Sequence, residues 1–146
     1  MKKKIITIAA FIMLAIGTTF ANDNGISKNA LLTFSEAFTN ATDVKWEKED
    51  HYYKVAFQEN NLLLKALISE EGKLIAVSRN ILSTDLPISL QASYRKNYTG
   101  YWISELTEYA IGNETRYFLT LENADQKILM ENVGTHNWSP VKTIVK

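Results

Sequence analysis

Twice along the chain, runs of β-branched and aromatic residues are joined by links of only two to four residues. A parallel pairing needs a crossover of a dozen or more residues, so links this short leave antiparallel hairpins as the available solution. Val44 and Trp46 alternate with Lys45 and Glu47, and the charged stretch from Glu47 to Asp50 turns the chain. Tyr52 to Phe57 follows, with Tyr53, Val55 and Phe57 on one side. Asn60-Asn61 reads as a tight turn, because Asn tolerates the left-handed conformation. Leu62 to Ile68, the turn at Glu70-Glu71-Gly72-Lys73, and Leu74 to Ile81 complete a first meander. The second runs through Tyr101 to Ile111, the turn Gly112-Asn113, Thr115 to Glu122, the turn Asn123-Ala124-Asp125, and Gln126 to Val133. Val141 to Val145 alternates and is a candidate edge strand.

A helix precedes each meander. Ser27 is a fair N-cap, and Ala30, Leu31, Phe34, Ala37 and Phe38 recur at helical spacing up to a stop at Asn40. Asp85-Leu86-Pro87 opens the second, with Pro87 in the first turn, where its missing N–H is harmless. Leu90, Tyr94 and Tyr98 share a face, and Gly100 breaks the pattern. Phe34 aligns with Tyr94 and Phe38 with Tyr98, an offset of 60. A half of about 55 residues buries too little surface to be comfortable alone. The expected fold is therefore α+β: two helix-plus-antiparallel-sheet units, at about 27–83 and 84–134 of a domain spanning 22–146. Both helices are expected on one face of a shared sheet.

The first 21 residues read as a cleavable signal peptide. Lys2, Lys3 and Lys4 form the positive start, Ile5 to Ile16 the apolar core, and Thr19 and Ala21 the small residues before the cut. That core is nearer a dozen residues than the roughly 20 of a spanning helix. With no cysteine at the cut, a lipid anchor is not expected, and the mature chain is placed in the periplasm or beyond. The whole chain balances 16 basic against 16 acidic residues; without the leader's three lysines it is mildly acidic, about −3. Such a chain lacks the electrostatic footprint for phosphate backbones, so nucleic acid is not an expected partner. The Asn-x-Thr triplets at Asn40, Asn97 and Asn113 carry no meaning in a bacterial chain.

Catalytic chemistry finds little footing. The absence of cysteine removes disulfides, thiolate metal sites and thiol nucleophiles. His51 and His136 are 85 positions apart and outside ligand spacing. Neither a G-x-S-x-G elbow nor an S-x-x-K pair occurs. The acidic turns Glu47–Glu49–Asp50 and Glu70-Glu71 lack the series of a calcium loop and read as solubilising edges. No cofactor, metal or catalytic residue is expected, and the chain is read as a non-enzyme.

Several pieces together carry a family likeness: Phe34-x-x-x-Phe38-x-Asn40-Ala41-x-x-Val44-x-Trp46, Tyr52-Tyr53-x-Val55-x-Phe57, Gly72-x-Leu74-Ile75-x-x-Ser78-Arg79-x-Ile81, Leu86-Pro87, and Tyr98-x-Gly100-Tyr101-x-Ile103. In order and spacing they resemble the β-lactamase-inhibitor-like, PepSY-like family of small exported bacterial proteins, from about Leu31 to Val133. The resemblance implies a helix packed on an antiparallel sheet, one unit or two. In the inhibitor that lends the family its name, a concave sheet grips a β-lactamase. No catalytic residue is implied by it.

If Tyr53, Val55 and Phe57, and likewise Tyr117, Leu119 and Leu121, face the helices, their neighbours face away. Tyr52, Lys54, Lys65, Trp102, Arg116 and Phe118 would then form an aromatic and basic face, a composition common at protein interfaces. The expectation is an exported binding module that meets a protein or peptide there, with oligomeric state open. The alternatives are a carrier or sensor of a small apolar ligand held in a cavity of at least about 300 Å³ between helix and sheet, and an envelope hydrolase.

Overall fold

The computed structural model describes residues 25–133 and 135–146; the leader expected over 1–21 lies outside the described residues. Helix α1 (Lys28–Ala37) precedes β1 (Thr42–Lys48), β2 (Tyr52–Glu59), β3 (Leu62–Ser69) and β4 (Leu74–Asn80). Helix α2 (Ile88–Asn97) precedes β5 (Trp102–Ile111), β6 (Glu114–Glu122), β7 (Gln126–Val133) and β8 (Asn137–Val145). The strands form one eight-stranded antiparallel sheet in chain order, each bonded to its sequence neighbour. The short links dictate this meander. At Asn60-Asn61 both residues adopt left-handed backbone, φ 51° and 63°, the pairing a two-residue hairpin needs.

Ser27 caps α1, its hydroxyl accepting from the Ala30 N–H at 3.2 Å and donating to the Glu70 carbonyl at 2.6 Å. The helix stops at Ala37 rather than Asn40, and the Phe38 N–H closes onto the Phe34 carbonyl. Ala30 and Phe34 pack on Trp46, Tyr53, Val55, Phe57, Ala66 and Ile68. Phe34 meets Phe57 and Trp46 edge-on, at centroid distances of 5.0 and 5.3 Å. Gly72, in the β3–β4 turn, sits against the start of this helix. Its φ is +89°, and an added Cβ would fall 2.8 Å from the Asn29 backbone, so only glycine fits.

The second helix starts later than the sequence suggests. Ser83–Asp85 forms a separate 3-10 turn in which the Asp85 carboxylate accepts from the Leu82 N–H at 3.0 Å. Pro87 then occupies the cap position, with no side-chain cap bond. Leu86 and Leu90 pack on Leu106, Leu119, Leu121, Ile128 and Met130, and Tyr94 and Tyr98 join the rim. Trp138 of β8 donates its indole N–H to the Leu90 carbonyl at 3.0 Å, tying the last strand to α2.

Candidate functional site

The six candidate residues occupy strand positions that alternate with those packing on the helices, with one irregularity. In β5, pairing runs from Trp102↔Glu122 and Ile103↔Leu121 to Glu105↔Thr120, with Ser104 as the extra residue of a bulge. The bulge reverses the alternation, so Glu105, Thr107 and Tyr109 share a side with Trp102. Strict counting from Trp102 would have put Ser104, Leu106 and Glu108 there instead. Tyr109 is thus a ring of this surface that sequence reasoning missed.

Registered pairs relate these positions to one another. Lys45↔Ala56, Ala56↔Lys65, Lys65↔Ser78, Ser78↔Tyr109 and Tyr109↔Arg116 form one transverse row over six strands. Lys54 belongs to the adjacent row through Leu67, and Tyr52 pairs with Ser69 beyond it. Trp102 stands apart, in a row with Glu122, Lys127 and Ile144. The six therefore do not make one compact cluster.

Exposure separates them further. Trp102 is 53% exposed, while Tyr52, Lys54 and Arg116 are half-buried and Lys65 is exposed. Phe118 lies on the expected side of its strand but is only 3% exposed. It packs with Leu129 in a small core of its own, flanked by Tyr109, Ile111 and Val141. The Tyr109 ring meets it edge-on at 5.2 Å. Phe118 is therefore a support beneath the surface and not a contact residue, because side chains from β5, β7 and β8 close over it.

The basic character is largely neutralised from within. Lys54 Nζ lies 2.5 Å from Glu49 Oε1, with both side chains mostly buried. Arg116 is held between Glu131 at 3.0 Å and Glu114 at 3.4 Å. Lys65 makes no ion pair among the described residues. Burial pushes the phenols of Tyr52 and Tyr109 above the ordinary tyrosine range. Glu105 adds to the rise at Tyr109 and the Ser78 hydroxyl opposes it. Both rings stay neutral and present hydroxyls able to donate.

At the Trp102 end, Glu122 receives hydrogen bonds from Ser104, Lys146 and Lys127, which lower its carboxyl to about 2. Lys127 and Lys146 stand 3.1 and 3.0 Å from its two oxygens. The Lys146 ammonium also lies 5.2 Å from the Trp102 ring centroid.

His51 and His136 are both exposed, and the nearest hydroxyl to the His136 ring is that of Thr135, at 2.5 Å from Nδ1. Among the described residues, no three His, Asp or Glu side chains converge in a way that could hold a metal ion. An open depression of about 300 Å³ is lined by Asn80 to Ser83 and Ile103 to Leu106. It lies where β4 leaves β5, not between a helix and the sheet as a carrier's cavity would.

No protein-family model matches the chain, and no curated protein does so either. Solved structures do share its architecture. A DUF2874 family protein of Bacteroides ovatus superposes with a TM-score of 0.70 at 16% identity, covering 88% of this chain and 89% of that one. A BLIP-like protein of Bacteroides fragilis gives 0.66 at 16% identity, covering 82% and 85%. A Bacteroides eggerthii protein, whose own name assigns it provisionally to the periplasm, gives 0.71 at 7% identity, covering 81% and 87%. The chain has the β-lactamase-inhibitor-like fold: eight antiparallel strands and two helices, in nearly the full length of each neighbour. The resemblance read from the sequence is supported on its inhibitor-like side; none of these three neighbours carries a PepSY name.

Proposed function

We propose that this chain is an exported, non-enzymatic binding module that holds a protein or peptide partner on the side of the sheet away from its helices. The mature chain would begin at residue 22, after removal of the leader over 1–21, and consist of two units, about 27–83 and 84–134, with β8 extending the second. Two lines support a single helix-bearing side. The registered chain Val55↔Ala66↔Val77↔Ala110↔Thr115 runs from the strand beneath α1 to β6. Leu119, four residues beyond Thr115 and of the same parity, packs on α2.

The observation that carries the reading is the large, 53% exposed Trp102 ring, on the same side as the half-buried rings of Tyr52 and Tyr109. The Tyr109 ring is underpinned by the buried Phe118 and Leu129, so it is fixed before any partner arrives, which lowers the ordering cost of binding. Export is supported by the leader's three-part pattern and by the periplasmic name of one structural neighbour. The non-catalytic reading is supported by the absence of nucleophile motifs in the sequence and by a fold shared with an inhibitor-like protein.

The test is recovery of partners from the native envelope by the immobilised mature chain, beside Trp102→Ala and Tyr52→Ala. Rigid aromatic anchors contribute about 2 kcal/mol or more, so each variant should weaken retention of a specific partner by roughly thirty-fold. The far-ultraviolet circular dichroism should stay unchanged. Undiminished recovery with both variants would refute the proposal.

A further inference from the structure

Around Trp102 the side chains are arranged as a receptor for one particular group. The Lys146 ammonium is met by the Glu122 carboxylate at 3.0 Å, by the Asn123 carbonyl at 2.8 Å, and by the Trp102 ring at 5.2 Å from its centroid. An ammonium group offers three donors and a compact charge; an anion, a carbonyl and an aromatic face are the three kinds of group that stabilise it.

The receptor stands without its occupant. Trp102 and Glu122 are fixed opposite each other by strand pairing, and Glu122 is also held by Ser104 and by Lys127 on the adjacent strand. The Lys146 N–H is held by the Asp125 carbonyl at 2.9 Å, so the side chain can swing out of the site while its backbone stays in place. With Lys146 gone, Glu122 and Lys127 balance each other, and an incoming cation would meet no uncompensated positive charge.

We propose that the Trp102 ring, the Glu122 carboxylate and the Asn123 carbonyl form a site for a lysine side chain of the bound partner, a site that Lys146 fills in cis until the partner displaces it. This deepens the binding surface proposed above by naming what the Trp102 end recognises. A tethered side chain competes at millimolar effective concentration or above, so the free protein conceals the site. Lys146 thereby sets a threshold: only a partner whose other contacts hold its lysine close can replace it.

The experiment uses a small probe, so that it can fail independently of any partner. N-acetyl-L-lysine amide is titrated into the mature chain and into Lys146→Ala, following the Trp102 indole N–H resonance. N-acetyl-L-norleucine amide serves as the uncharged control. In Lys146→Ala the lysine probe should shift that resonance saturably in the millimolar range, at least about ten-fold more tightly than in the unaltered chain. The norleucine probe should not. Lys146→Met, which keeps the stem and loses the charge, should behave like the alanine variant, and adding Glu122→Gln should remove the response. Equal responses with and without Lys146, or equal responses to both probes, would overturn the proposal.

Discussion

The halves of this molecule repeat an order of elements but solve their cores differently. Beneath α1 the core is aromatic: Phe34, Trp46, Tyr53 and Phe57 stand edge to face, with Phe38 packed against them. Beneath α2 it is aliphatic, built on Leu90, Leu106, Leu119, Leu121 and Met130, with tyrosines at the rim. Ser27 caps the first helix with a hydroxyl, whereas Pro87 starts the second with a preset φ and no side-chain bond. A third apolar cluster, around Phe118 and Leu129, belongs to the second half alone. The second half thus has an apolar cluster on both sides of its strands, whereas the far side of the first half buries Leu67 and Ala76 without a cluster of their own. On that side the second half backs the Tyr109 ring with Phe118 and Leu129, while the first half carries Tyr52 among Lys45, Lys54 and Lys65.

The largest expected effect addresses that difference directly. Phe57→Ala opens a cavity under α1, and Phe118→Ala opens one on the other side of β6. Each should lower unfolding free energy by roughly 3–5 kcal/mol, as measured by urea denaturation. A loss below about 1 kcal/mol for Phe118→Ala would mean that the second half has no two-sided core, and the contrast between halves would collapse.

That contrast was only partly legible in the sequence. Period and turn chemistry located seven strands and both helices, because links of two to four residues and apolar spacings of three and four are local signals; β8, read only as a candidate edge over Val141–Val145, begins four residues earlier, at Asn137. The inward positions Tyr53, Val55, Phe57, Leu119 and Leu121 followed from simple alternation. Three features did not follow. Ser104 bulges without a glycine to mark it, and the bulge alone puts Tyr109 beside Ser78 and Arg116. Phe118 is covered by residues of β5, β7 and β8, whose convergence depends on register across the sheet. The acids that neutralise Arg116 and Lys54 reach them across turns or neighbouring strands, so a count of basic residues on one side overstates its charge.

The turn between β3 and β4 offers a smaller and sharper test of how the halves differ. Gly72 lets that turn touch α1, and Thr33 donates its hydroxyl to the Gly72 carbonyl at 2.5 Å. Gly72→Ala should cost about 1–3 kcal/mol, from left-handed backbone strain and displacement of the helix start. A turn glycine of the second half, Gly112 between β5 and β6, provides the control: in Gly112→Ala the added Cβ meets no atom within 4 Å, though the φ is also left-handed at +58°. That change should cost only the backbone share, roughly 1 kcal/mol. Thermal unfolding of the two variants side by side measures the difference. Equal losses would show that the turn's contact with α1 contributes nothing.

The smallest effect concerns Glu122, whose carboxyl is held near 2 by Ser104, Lys146 and Lys127. A carboxyl depressed in the folded state binds its proton more readily when the chain unfolds. Stability from this group is therefore fully present above the ordinary carboxylate range, near 4.5, and is lost as pH falls toward about 2. The group is only partly buried, so salt should blunt the effect. Thermal midpoints of the unaltered chain and Glu122→Gln, compared between pH 5 and pH 2 at low ionic strength, should converge as the acid is protonated. Because Lys146 reaches the same carboxylate, Lys146→Ala should remove part of this convergence and leave the share carried by Ser104 and Lys127. If instead the gap between the unaltered chain and Glu122→Gln is constant with pH, Glu122 stabilises the fold by packing rather than by charge, and the ammonium receptor built on it loses its anion.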